Sequence, residues 1–258
     1  LTEPSAPGRR TFLAGAVATA AMAACSSTSS GDEGVAPSST ARDRSSTTAT
    51  AAPDRAAFVA HGPRTRDEVA LTFHVSGDRA LAVRLLDLLK DHEVPVTAFL
   101  VGTFAEQHPD LLPRFAADGH EIANHTYRHL TFERLPAAEM QSEILRCRDA
   151  LERTAGTGGT LFRISGTTNG TDAPGEAIER LAASCGYPTI VGFDVDPSDY
   201  QDPGAALVAS RTIAALRPGA IVSLHFGHEG TIAALPAILG ALDDRHLRPV
   251  GVSRLLRP

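Results

Sequence analysis

Two imidazoles four residues apart, His125 and His129, lie in the run His125-Thr126-Tyr127-Arg128-His129. One helical turn or tight loop would set them side by side on a metal ion. The same spacing describes two exposed histidines on a solvated turn, and a chain with ten histidines produces it by chance. Further ionisable residues are His74, Asp78, Arg163, Asp194, Asp196, Asp199, His225 and His228. Two such imidazoles could share a divalent ion, and the other ionisable residues are candidates for the same functional cleft.

Those residues need elements to position them, and the apolar pattern supplies alternating strands and helices. Strands are predicted over 69–73, 96–101, 121–124, 160–163, 189–193, 220–225 and 249–252. Helices are predicted over 78–92, where Leu81, Leu85, Leu88 and Leu89 keep helical spacing, and over 108–118, 136–154, 174–185, 203–216 and 231–245. Strict alternation implies an α/β fold with a parallel sheet, either doubly wound or closed into a barrel, with ligands at the carboxyl ends of the strands. His74 and Asp78 follow the first predicted strand, His125 and His129 the third, Arg163 the fourth, Asp194, Asp196 and Asp199 the fifth, and His225 and His228 the sixth. So many ionisable groups on one face would be costly in a purely structural design, because buried charge needs partners.

The 258 residues are 43% hydrophobic and 21% charged, enough for one ordinary domain with chain to spare. A net charge of -6 gives no basic face for DNA or RNA, so nucleic acid is not an expected partner. Three cysteines, Cys25, Cys147 and Cys185, without a CxxC pair, leave any metal to histidine and carboxylate. Residues 1–25 read as an export signal. Arg9-Arg10-Thr11-Phe12-Leu13 opens an apolar run too short to span a bilayer, and the pattern resembles a twin-arginine signal. The run ends in Met22-Ala23-Ala24-Cys25, which resembles a lipobox with Cys25 as the acylated residue; an ordinary signal peptide with a chance cysteine is the other reading. The initial Leu1 would fit a start lying upstream or at an alternative codon. Residues 26–57, rich in Ser, Thr and Ala, read as a flexible tether, and 58–258 as the folded domain. The expected location is the extracytoplasmic face of a bacterial membrane, held there only through the lipid anchor.

From Val96-Thr97-Ala98-Phe99-Leu100-Val101-Gly102 to Asp118-Gly119-His120-Glu121-Ile122-Ala123-Asn124-His125-Thr126-Tyr127-Arg128-His129, the chain resembles the polysaccharide deacetylases, the NodB-homology or carbohydrate esterase family 4 enzymes. Similarity continues through Phe162-Arg163, through Asp196-Pro197-Ser198-Asp199-Tyr200 with Tyr for the family's Trp, and through Ser223-Leu224-His225. The resemblance spans the domain from Val69 onward. It implies a distorted (β/α) barrel of about seven or eight strands and a metal-dependent hydrolase acting on acetylated polysaccharide or peptidoglycan. It also implies His125 and His129 as metal ligands, Arg163 and Asp199 as tuning residues and His225 as general acid. Zinc suits such a site, and cobalt or nickel fits the same ligands.

One motif departs from the family. Where the family carries Thr-Phe-Asp-Asp-Gly, this chain has Thr72-Phe73-His74-Val75-Ser76-Gly77-Asp78, so both aspartates, base and third metal ligand, are missing. Two repairs are open, both using Asp78. Either Asp78 folds back as the third ligand and His74 is the base, or His74 is the third ligand and Asp78 the base. A competing reading is a surface-tethered domain that binds glycan or peptidoglycan without hydrolysing it. A solute-binding lipoprotein of a transporter is a third, but it would not need His125, His129 and His225 at strand ends. Cys147 and Cys185, on consecutive predicted helices, fit either a disulfide in an oxidising exterior or buried free thiols, Asn169-Gly170-Thr171 reads as a turn, and aromatic sugar contacts would fall to Tyr127, Tyr187 and Tyr200. A monomer is expected.

Overall fold

The computed structural model describes residues 53–258 apart from Thr168. The signal, Cys25 and most of the tether lie outside the described residues. In chain order the elements are β1 (Ala57–Val59), β2 (Glu68–Val75), α1 (Arg79–Asp91), β3 (Thr97–Leu100), α2 (Gly102–Gln107) and α3 (Leu112–Ala117). Next come β4 (Glu121–Asn124), α4 (Ala137–Ala155), β5 (Leu161–Phe162), α5 (Glu176–Ser184) and β6 (Thr189–Val191). The chain ends in α6 (Ala205–Ala215), β7 (Ile221–His225), α7 (Glu229–Asp244), β8 (Arg248–Pro249) and α8 (Val252–Leu255). Among the described residues no helix is long and apolar enough to cross a membrane.

Every strand pairing is parallel, in the order β1-β6-β5-β4-β3-β2-β7, with β8 also on β2. The sheet curls into a distorted barrel, as the resemblance implied. Its closure is slight. After β6 the chain reaches β7 through one isolated bridge, Val195 to Val222, with the Ser223 amide donating to the Val195 carbonyl at 2.8 Å.

Strand β2 shows why the barrel has two chemically different sides. Side chains alternate across a strand. Val69, Leu71, Phe73 and Val75 enter the apolar layer shared with the helices, whereas Ala70 packs with Phe99, Val191 and Ile221 in a second, smaller core. Thr72 and His74 share Ala70's parity, and both hydrogen-bond to Arg163 on that other side. The helices seal the outside: α1 buries Ala82, Leu85, Leu86 and Leu89, each leucine contributing roughly 1.5–3 kcal/mol of burial.

Several boundaries differ from the sequence expectation for local reasons. The helix expected over 108–118 forms only as α3 from Leu112, because Pro109 lacks an N–H and keeps His108 at a non-helical φ of -131°, and α2, ending at Gln107, was not expected. The strand expected over 249–252 stops at Pro249, and Gly251 caps α8, which starts at Val252. The tether also ends earlier than residue 57: Ala56 is buried, its amide donates to the Glu179 carbonyl at 3.0 Å, and Ala57 opens β1.

Candidate active site

At the carboxyl end of the barrel, His74, His125 and His129 come together, each offering a ring nitrogen within 4.8 Å of the others. His125 follows β4 directly. Its Nδ1 lies 3.0 Å from the Arg163 carbonyl, which only accepts, so Nδ1 carries the proton and Nε2 presents a lone pair. That lone pair faces Nε2 of His129 at 3.1 Å. A backbone carbonyl holding the far nitrogen of an imidazole is the support a metal-binding histidine needs. Burial holds His125 well below the ordinary imidazole range, with His129 adding to the effect, and His129 is shifted down by burial in the same way.

The loop carrying these two rings is tightly specified. Thr126 and His129 adopt positive φ, 66° and 58°, and a β-branched residue rarely tolerates that conformation. Asn124 holds it in place: its Oδ1 accepts from the Thr126 amide at 2.9 Å, while its Nδ2 donates to the Ile144 carbonyl and the Tyr187 hydroxyl. The amides of Gly102 and Thr103 donate to the carbonyls of Thr126 and Tyr127. A Cβ at Gly102 would lie 2.5 Å from the Tyr127 ring, so only glycine lets α2 approach this closely.

Arg163 is buried beneath the cluster, 1% exposed, with its guanidinium 3.9 Å from the centre of the Phe99 ring. It donates to the Val191 and Gly192 carbonyls, to Thr72 Oγ1 at 2.8 Å and to His74 Nε2 at 3.0 Å. No carboxylate of the described residues pairs with it, and burial pushes its pKa down to about 9. His74 is buried too, and that burial, followed by the neighbouring His125, His225 and Arg163, keeps the ring neutral well below its usual range.

Opposite the imidazoles, His225 ends β7. Its Nδ1 lies 2.7 Å from Asp199 Oδ1, and its amide donates to Asp199 Oδ2 at 2.8 Å. Thr231 Oγ1 completes the carboxylate's shell at 2.7 Å. Because the carboxylate fixes the proton on Nδ1, Nε2 is left to meet a ligand. On the metal-dependent hydrolysis that the resemblance implies, Asp199→Ala is expected to lower turnover by about 100-fold or more while leaving metal retention unchanged, checked by acetate release beside metal analysis.

His74, Ser76, His129, Phe193, Asp196, Tyr200, His225 and His228 line a cavity of ≈ 310 Å³. Tyr200 is exposed, with its ring centre 5.3 Å from that of His225, while Tyr127 and Tyr187 lie outside the cavity lining. A second depression of ≈ 340 Å³ adjoins it, sharing Ile164, Gly166 and Thr167.

Two expected residues are placed elsewhere. Asp78 is the N-cap of α1, its carboxylate accepting from the Leu81 amide at 3.0 Å, and it joins neither the imidazole group nor the cavity lining. The loop turns at Gly77, φ 88°, into the helix instead of folding back, so neither repair that relies on Asp78 is built. Val75, where a ligand was missing, faces the helix layer. Asp78→Ala is expected to remove about 1 kcal/mol of helix capping, a fall of roughly 2–4 °C in Tm, with metal content unchanged. Asp194 also turns away, bound to Arg64 and Arg217. Conversely Thr72, Asn124 and Thr231 were not expected. Thr72 carried a usable signal, being two residues from His74 on the same strand face.

Ionisable groups converging on the carboxyl end of a parallel barrel form a layout suited to a hydrolase. The sequence model of the polysaccharide deacetylases matches residues 61–190. A chitooligosaccharide deacetylase of Bradyrhizobium sp. is 35% identical over 191 residues, 69% of this chain and 85% of that protein. A peptidoglycan-N-acetylglucosamine deacetylase of Bacillus cereus is 31% identical over 215 residues, 81% and 75% of the two chains. Among solved structures, the Bc1960 peptidoglycan N-acetylglucosamine deacetylase superposes with a TM-score of 0.71 at 27% identity, over 77% of this chain and 92% of that one. BA3943, a family 4 carbohydrate esterase pseudoenzyme from Bacillus anthracis, also gives 0.71, at 22% identity over 78% and 69%, a likeness of fold alone. The chain belongs to the polysaccharide deacetylase family.

Proposed function

We propose that this protein removes acetyl groups from an acetylated cell-wall polysaccharide or peptidoglycan, hydrolysing the carbon–nitrogen bond of an N-acetyl group with a divalent metal, zinc for preference. The observation that carries this reading is the facing pair of ring nitrogens of His125 and His129 at 3.1 Å, opposite a histidine held by a buried carboxylate. The imidazole donors fit zinc, with cobalt(II) or nickel(II) suited to the same nitrogens. His125 and His129 would hold the ion, whose contribution is Lewis acidity toward the acetyl carbonyl and the attacking water. His225, its Nδ1 proton held by Asp199, takes the proton of the attacking water at Nε2 and passes it from the same nitrogen to the departing amine, and Tyr200 offers its exposed ring to the sugar. A lipid on Cys25 and export by the twin-arginine route would place the domain, as a monomer, at the outer face of the membrane.

A second reading, a domain that binds the glycan without turnover, is favoured by one observation: no described carboxylate joins the imidazole group, Val75 and Asp78 being turned away. Acetate release from acetylated chitooligosaccharide and peptidoglycan by the zinc-loaded domain separates the two. Release above that of a His225→Ala variant supports the hydrolase. Binding of the glycan without release supports the binder.

A further inference from the structure

The hydrogen bond between Arg163 and His74 has a chemical direction. A guanidinium donates only, so His74 Nε2 must accept, and a neutral imidazole that accepts at Nε2 carries its proton on Nδ1. The single lone pair of His74 is therefore spent on Arg163, and neither a metal ion nor a water proton can take it while that bond holds. Nδ1 has no hydrogen-bond partner among the described residues. It is also not among their wholly enclosed, unpartnered side-chain nitrogens, unlike both nitrogens of His120, and His74 lines the cavity between His125 and His225. The first-motif position, which in the resembled family holds an acceptor carboxylate, thus presents an N–H.

We propose that His74 acts in this site as a hydrogen-bond donor through Nδ1–H, with Arg163 as the residue that holds it in that tautomer, and that the group it receives is an oxygen of an acetyl ligand, either a neutral carbonyl or the carboxylate of free acetate. Three features agree. The guanidinium is buried without a carboxylate, so the site beneath the cavity carries positive charge and no compensating anion. Thr72 takes the second hydrogen of the same Arg163 nitrogen, which fixes the plane in which the guanidinium reaches His74. Phe99 below the guanidinium keeps it from tilting away. The choice of ligand rests on the acetyl-directed reading above, whereas the tautomer does not.

The tautomer is read from the ring ¹⁵N shifts of His74, assigned by comparison with His74→Gln, in the metal-free protein and again with stoichiometric zinc. The expected result is a protonated Nδ1 and an unprotonated Nε2, unchanged by zinc while the signals of His125 and His129 move. A His74 nitrogen that takes the shift of a metal-bound imidazole, or an unprotonated Nδ1 in the metal-free protein, overturns the proposal. Affinity for potassium acetate and for acetamide, measured by calorimetry, tests the ligand. His74→Ala is expected to weaken the preferred probe about 10-fold. His74→Gln, whose amide oxygen can accept from Arg163 while its NH₂ donates to the ligand, is expected to restore most of that loss. Preference for acetate marks a carboxylate and preference for acetamide a carbonyl. Equal weakening in both variants overturns the donor role. Failure to release acetate from any glycan, with the tautomer as stated, defeats the hydrolase reading and leaves the tautomer assignment intact.

Discussion

On the proposed metal-dependent reading, replacing His129 with alanine is expected to abolish retention of a divalent ion and to lower acetate release by more than the roughly 10–100-fold that loss of an outer partner costs. The reason lies in the number of prepared donors. His125 is locked by the Arg163 carbonyl with its Nε2 lone pair outward, and His129 is the ring that faces it; without His129 no second lone pair is in place. Metal analysis after dialysis, beside acetate release, checks both halves, and the fold should survive because His129 belongs to none of the apolar cores. Acidity should act through the same groups. His74, His125 and His129 have pKa values lowered from 6.5 by burial, so the unfolded chain binds protons the folded one refuses. Stability of the metal-free domain is therefore complete above about pH 6.5 and falls as the pH is lowered below it, measurable as a falling urea midpoint.

Asn124→Ala is expected to cost about 2–4 kcal/mol and to lower Tm by roughly 4–16 °C. Asn124 is wholly buried and makes three hydrogen bonds, and alanine would leave the Thr126 amide, the Ile144 carbonyl and the Tyr187 hydroxyl short of a partner. The positive-φ Thr126 would lose the contact that holds its amide, and His125 would lose its fixed approach. Zinc affinity should fall by about 10–100-fold although Asn124 touches no ion. Thermal melting with and without zinc checks this, because loss of the loop's geometry narrows the difference between the two melts.

The sequence made much of this site readable, and the reasons are local. The apolar runs gave the strands, and parallel strands ending on one face brought His74, His125, Arg163 and His225 together without any knowledge of their contacts. Identifying the two histidines as partners needed more, since four-residue spacing alone fits a solvated turn; the family motif around them supplied it. Asp78 failed for a different reason. An aspartate after a glycine and before a leucine-rich helix is both a candidate ligand that folds back and a good N-cap, and capping won because the Leu81 amide is already at hand. Pro109 carried its warning openly, and the helix expected from His108 starts only at Leu112, beyond it. What no pattern discloses is direction: which nitrogen of His74 accepts depends on a guanidinium 89 residues away in sequence.

The slight closure of the barrel carries a consequence for timing. His125 follows β4, which pairs on both sides with neighbours, and His129 lies in the loop beyond it, whereas Asp199 stands four residues beyond the single bridge that joins the chain after β6 to β7. Breathing of the protein will open that seam sooner than it parts β3 from β4. Asp199 is tied to the far side of that seam by the His225 ring and amide and by Thr231, so its carboxylate depends on those three bonds and not on the bridge. On the proposed hydrolase reading, the proton-exchanging half of the site is thus fastened by side chains across the weakest seam of the barrel, while the other half rests on continuous strand pairing.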